Sequence, residues 1–196
     1  MGRKVQRVRY TLDPKGIKNL PQHEIAVILR GTDDLIMSGG RSLLAKILKG
    51  SKEKKVVALD LHKSPVCGYY KHLSIEEILA RIDWVIVNGY LRIEYDSRLP
   101  LLVYTGKGWE IEKDTYSDEL LRGFDKMLES GCGLFNMSYL KDRNRELILM
   151  LLDKVEATGN RKYLPILESW EKIDYKKVRE RIEKVIVHLK QSETKN

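Results

Sequence analysis

Residues 74–105 read SIEEILARIDWVIVNGYLRIEYDSRLPLLVYT, and the hydrophobic period changes inside them. Ser74 stands where a helix N-cap belongs, and Glu77, three residues on, is its capping-box partner. Ile78, Leu79, Ile82, Val85 and Ile86 then form one apolar face, and Gly89 closes the helix. From Tyr90 the pattern alternates around a polar tip of Asp96, Ser97 and Arg98, which predicts two antiparallel strands joined by a short loop. Pro100 falls near the start of the second strand, where a missing donor is tolerated.

Upstream, Pro21 opens a short helix in PQHEIAVILR, with Ile25, Ile28 and Leu29 on one face and Gly31 expected as its stop. Residues 33–50, DDLIMSGGRSLLAKILKG, place Leu43, Leu44, Ile47 and Leu48 on a single stripe and leave Arg41, Lys46 and Lys49 to face water or a partner; Gly50 ends this helix. In SKEKKVVALDLHK the valines fit a strand, while Glu53 and the apolar spacing of Val56, Val57 and Leu59 fit a short helix, so both readings stand. The segment SPVCGYYKHL reads as turn. A helix pair, a capped helix and a hairpin is the element order of a winged helix-turn-helix domain.

The fold class is therefore mainly α with a small β-hairpin. A winged-helix domain over residues 21–113 follows a basic N-terminal arm, residues 1–20, that holds six Lys/Arg by Lys18. Residues 114–196 are expected as an antiparallel helical bundle or a short helical-repeat extension. Leu120, Leu121 and Phe124 share one side of the first segment, and amphipathic stretches follow at Glu146–Ala157, Tyr163–Trp170 and Tyr175–Leu189. Trp170 belongs inside that bundle.

The chain of 196 residues carries a formal charge of +8. The excess lies in front: before Val56 there are 13 Lys+Arg against 5 Asp+Glu. Such a face attracts a polyanion. Two cysteines, Cys67 and Cys132, make neither a disulfide framework nor a four-cysteine zinc site, which points to a reducing, cytoplasmic compartment. The apolar run of a signal peptide is absent, as is any stretch of 18 uninterrupted apolar residues, so no membrane partner is expected.

GGRSLL lacks the spacing and the lysine of an ATP-binding phosphate loop. His62, Cys67 and His72 offer three ligand types without a recognised pair spacing, so no metal and no cofactor is expected. Glu76, Glu77 and Asp83 read as solvated carboxylates of one helix rather than acid/base catalysts, and no catalytic residue is assigned.

Nucleic-acid contact has better candidates. Gly50 and Ser51 stand where a basic helix ends, so free amides and the Ser51 hydroxyl can hold a phosphate while Lys49, Lys52, Lys54 and Lys55 supply charge, with Arg41 on the same helix. At the hairpin, Arg98 can follow a backbone groove and Tyr95 can stack on an exposed base, or else pack across the two strands. Lys63, Tyr69, Tyr70 and Lys71 interleave aromatic and basic groups along the edge of that surface, where either tyrosine can instead be core.

Taken together, GGRSLLAKILKGSKEKKV, SPVCGYYKHLSIEEI and IDWVIVNGYLRIEYDSRLPLLVYTGKGWEI resemble the RecQ C-terminal (RQC) winged-helix domain, especially a stand-alone minor branch with a helical tail. The resemblance implies that KEKKVVAL is a short helix and that Gly50, Ser51 and Lys52 match the loop that touches duplex backbone in the family. In some helicases of this family the wing pries apart the terminal base pair; here the wing is short and Tyr95 stands off its tip. Cys67-Gly68 stands where the helicases often have Tyr-Gly, and neither the ATP motor nor the four-cysteine zinc module occurs in these residues. The implied function is non-catalytic binding of duplex or forked DNA, without unwinding. The alternatives are an adaptor using the winged helix and the helical tail for protein contacts, and an RNA binder.

Overall fold

The capping box expected at Ser74 forms. In the computed structural model, which describes residues 11–36, 38–131 and 135–191, Ser74 Oγ accepts from the Glu77 amide (3.2 Å) and Glu77 Oε2 accepts from the Ser74 amide (2.8 Å). Helix α4 (Ile75–Val87) follows, with Ile78, Ile82 and Val85 wholly buried. It packs on α2 (Arg41–Lys49), whose Leu44, Ile47 and Leu48 lose all contact with solvent, and on α1 (Gln22–Asp33). The ambiguous KEKKVVAL segment holds a five-residue helix, α3 (Lys54–Ala58), with Val56 as its inward side chain.

Gly31 does not stop α1. The helix runs two residues further because Gly31 is a contact surface: a Cβ there would meet Leu44 at 3.0 Å and Val66 at 3.1 Å. The helix ends at Asp33 with Asp34 as its cap, and the Arg30–Asp34 pair (3.3 Å) and the Thr32 Oγ1 bond to the Ile28 carbonyl (2.8 Å) both span its last turn.

The wing is β1 (Leu91–Asp96) and β2 (Leu99–Tyr104), antiparallel, with Asp96 opposite Leu99 and Tyr95 opposite Pro100. Ser97 takes φ 54° at its two-residue tip. Two bonds fasten β2 to the helices: the Leu102 amide donates to the Gly39 carbonyl (3.2 Å) and Tyr104 Oη donates to the Leu29 carbonyl (2.9 Å). The first approach needs glycine, since a Cβ on Gly40 would lie 2.5 Å from the Pro100 carbonyl oxygen.

Helix α5 (Gly106–Glu129) starts ten residues before the apolar stretch that announces it in sequence. Thr105 makes this possible by accepting at Oγ1 from the Gly108 amide (3.1 Å), and Gly108 itself passes close beneath the Tyr90 carbonyl. The chain divides within this helix into two compact units, residues 1–112 and 113–196. In the second, α6 (Arg145–Ala157), α7 (Leu164–Glu171) and α8 (Lys176–Gln191) pack with α8 against both others. Trp170 is fully enclosed there, edge-on to Phe124 at 6.0 Å, and donates from Nε1 to Asp174 (2.6 Å). Residues 1–10 of the expected basic arm and Cys132 lie outside the described residues. No helix among the described residues is long and apolar enough to cross a membrane.

Two alanine substitutions are expected to act in opposite directions. Gly40→Ala forces β2 off the start of α2 and should lower stability by about 1–3 kcal/mol, as overpacking does. Gly123→Ala, in the interior of α5 with nothing within 4 Å of the added methyl, should raise it by about 0.4–1 kcal/mol through the unfolded chain. Thermal unfolding followed by circular dichroism checks both signs.

Candidate nucleic-acid interface

The C-terminus of α2 is built by its carbonyls. Gly50, in the left-handed region at φ 77°, donates to the Ile47 carbonyl (2.8 Å), and the Ser51 amide donates back to Lys46 (2.9 Å), closing a Schellman motif. The Ile47 carbonyl accepts a second time, from Gly68 (2.9 Å), and the Leu48 carbonyl accepts from Tyr70 (2.8 Å). The turn at residues 64–72 thus docks on the end of α2. Contact is so close that a Cβ on Gly50 would lie 3.0 Å from Gly68 Cα.

This brings Lys49, Gly50, Ser51, Lys52 and Lys71 to one place, and their roles divide. Lys49 is a strut: its Nζ donates to the Lys71 carbonyl (2.8 Å) and the Leu73 carbonyl (2.6 Å). Ser51 Oγ accepts from the Glu53 amide (3.2 Å), which leaves the hydroxyl proton to donate outward. Glu53 is neutralised by Lys46 at 2.6 Å. Lys52, Lys54, Lys55 and Lys71 are exposed and have no carboxylate partner among the described residues. Lys63 stands on the one-turn helix Leu61–Lys63, ion-paired to Asp60 at 2.9 Å, and holds that carboxyl below its usual range by hydrogen bond and charge.

Arg41 is placed differently from the sequence expectation. It turns inward, its Nη1 2.6 Å from both oxygens of Asp83, which also accepts from the Asp13 amide (2.9 Å). Asp83 is likewise not a solvated surface carboxylate: its side chain is 4% exposed and that of Arg41 16%. The pair ties residues 11–13 and α2 to the middle of α4.

Of the two tyrosines in the turn, Tyr70 is core. Its phenol donates to Glu24 (2.6 Å), Arg81 lies over its ring, and burial with the Glu24 bond pushes its pKa far up. Tyr69 is exposed, edge-on to Tyr70 at 4.9 Å.

The wing does not join the cluster. It is fastened at the start of α2, whereas the Gly50 turn closes its end, and nine residues of helix separate them by about 13 Å along the axis. Tyr95 is half-buried across from Pro100, and Arg98 is exposed at the tip. Leu99, which the alternating pattern gives no reason to single out, is 64% exposed beside it. The only hint in sequence is an apolar residue immediately after the turn.

A profile of the RQC domain matches residues 22–120. The ATP-dependent DNA helicase RecQ of Bacillus subtilis (strain 168) is 32% identical over 78 residues, which cover 40% of this chain and 13% of that helicase. No solved structure matches.

The division of roles can be measured. Arg41→Ala leaves Asp83 buried and unpaired and should cost about 3 kcal/mol in urea unfolding. Lys52→Ala, at an exposed and unpaired site, should stay within about 0.5 kcal/mol.

Proposed function

The chain belongs to the RQC domain family, and from that premise we propose that it binds the sugar–phosphate backbone of duplex or forked DNA through the end of α2, without carrying out a reaction on it. The RQC domain is a non-catalytic, DNA-binding winged helix found in RecQ helicases. One observation carries the reading. The Gly50–Gly68 contact docks the turn that carries Lys71 on the end of α2, where Ser51 and Lys52 follow, with Lys54 and Lys55 just beyond and no carboxylate partner for these lysines among the described residues.

Lysines give point charges on flexible stems, and a hydroxyl gives one directed donor. That combination fits phosphate oxygens, the contacts that fix a protein's position on the duplex backbone. Arg98 and Leu99 on the wing form a second, separate point, with Arg98 supplying charge for a neighbouring backbone. The relative named above couples DNA to ATP; this chain contains no glycine-rich phosphate loop ending in Lys-Ser/Thr, and its proposed part is the contact with DNA alone.

The test is fluorescence anisotropy with blunt and forked duplexes over a range of salt. Each lysine–phosphate contact contributes about 0.9 to the slope of log affinity against log salt, so Lys52→Ala/Lys55→Ala should lower that slope by about 2. Ser51→Ala should weaken binding without changing the slope. Duplex affinity in the double variant within twofold of the unaltered protein, at low salt, refutes the assignment.

A further inference from the structure

The second unit holds a basic pocket that the duplex reading leaves unused. A cavity of about 720 Å³ is lined by Lys141, Arg145, Ile148, Asp174, Tyr175 and Lys176, with Arg143, Lys177, Asp142 and Val178 completing the wall. Five cations thus face two carboxylates, and both carboxylates are occupied. Asp174 accepts from Trp170 Nε1 and from the Tyr175 amide, each at 2.6 Å, and Asp142 accepts from Tyr175 Oη at 3.2 Å. Arg143 is engaged with the Tyr139 carbonyl and the Tyr116 ring. Arg145, Lys176 and Lys177 are exposed and have no carboxylate partner among the described residues.

The pocket also displays a ring. Tyr175 is 58% exposed, far more than a tyrosine needed for packing. Its hydroxyl is pinned by Asp142 and its ring lies under Lys141 Nζ at 5.2 Å, which fixes its orientation. The floor is apolar, from Ile148 and Val178.

We propose that this pocket binds single-stranded nucleic acid, with a base stacked against Tyr175 and the flanking phosphates held by Arg145, Lys176 and Lys177. An aromatic platform bordered by cations is the arrangement that single strands use, because every base has a π-face and every linkage a charge. The volume falls within the range of small-ligand pockets, enough for a nucleotide but closed to a duplex, whose bases are already stacked. Charge complementarity selects an anion, and the exposed ring selects one that carries a flat aromatic group.

The experiment uses the full chain and a fluorescein-labelled 12-mer of thymidine alongside blunt duplex. Arg145→Ala/Lys176→Ala/Lys177→Ala should weaken the 12-mer about tenfold or more at low salt and lower its salt slope by about 2, at about 0.7 for each single-strand phosphate contact. Tyr175→Ala should weaken it about fivefold or more, and Tyr175→Phe, which keeps the ring, should restore most of the loss. All three variants should leave the blunt duplex within twofold and the unfolding temperature unchanged. Three results overturn the proposal: no binding of the 12-mer by the unaltered protein, affinity within twofold in the triple variant, or insensitivity to Tyr175→Ala. The last leaves a surface for an acidic protein or any polyanion. The inference stands apart from the duplex reading, which fails instead if Lys52→Ala/Lys55→Ala does not affect the duplex, whatever the 12-mer does.

Discussion

The carbonyl of Ile47 accepts two amides, from Gly50 and from Gly68, and the organisation of the first unit's basic face follows from that shared acceptor. One bond terminates α2; the other recruits a turn that is eighteen residues further along the chain. Both donors are glycines at φ 77°, and the backbones meet at a distance that a single methyl would block. A helix end of this kind is stiff, because its last carbonyls are spent on the protein rather than on water. Stiffness matters for phosphate binding, since donors already held in place lose less entropy on contact.

Much of this architecture can be read in the sequence because it is local. The Ser74–Glu77 box, the stripe from Leu43 to Leu48, the tip at Ser97 and the stop at Gly50 are each set by residues within five positions of one another. What cannot be read there depends on partners distant in the chain. Gly31 resembles a helix stop until Leu44 and Val66 are seen against it. Arg41 resembles a surface cation until Asp83, on another helix, is found beneath it. Gly106 and Gly108 argue against a helix, and only the Thr105 cap and the approach to Tyr90 explain why α5 begins there. In each case a weak local preference yields to a contact between elements.

The same limit governs the candidate interface. The sequence draws attention to this neighbourhood, because a glycine followed by a hydroxyl and three lysines within the next five residues is a local pattern. It cannot separate lysines by role, since side chains of one type and similar setting differ only in what stands across from them. Lys46 meets a carboxylate, Lys49 two carbonyls, and Lys52, Lys54 and Lys55 meet neither among the described residues. Leu99 and the pocket around Tyr175 escape sequence reading for the converse reason: exposure of an apolar or aromatic side chain is a property of the surface, invisible to periodicity.

Net charge is therefore a poor measure of where this protein meets a polyanion. An ion pair such as Arg41–Asp83 or Lys63–Asp60 leaves the total unchanged but removes a cation from the binding inventory. The second unit shows the reverse. Its lysines and arginines nearly balance its acids, 17 against 15, yet salt bridges along α6 and α8, such as Arg181 with Asp153 and Glu156, consume acids elsewhere. That leaves Arg145, Lys176 and Lys177 concentrated at one mouth. A field strong enough to hold an anion comes from such local imbalance, within about a Debye length of 8–10 Å, so a nearly neutral unit can carry a site as basic as one in the unit that holds the excess.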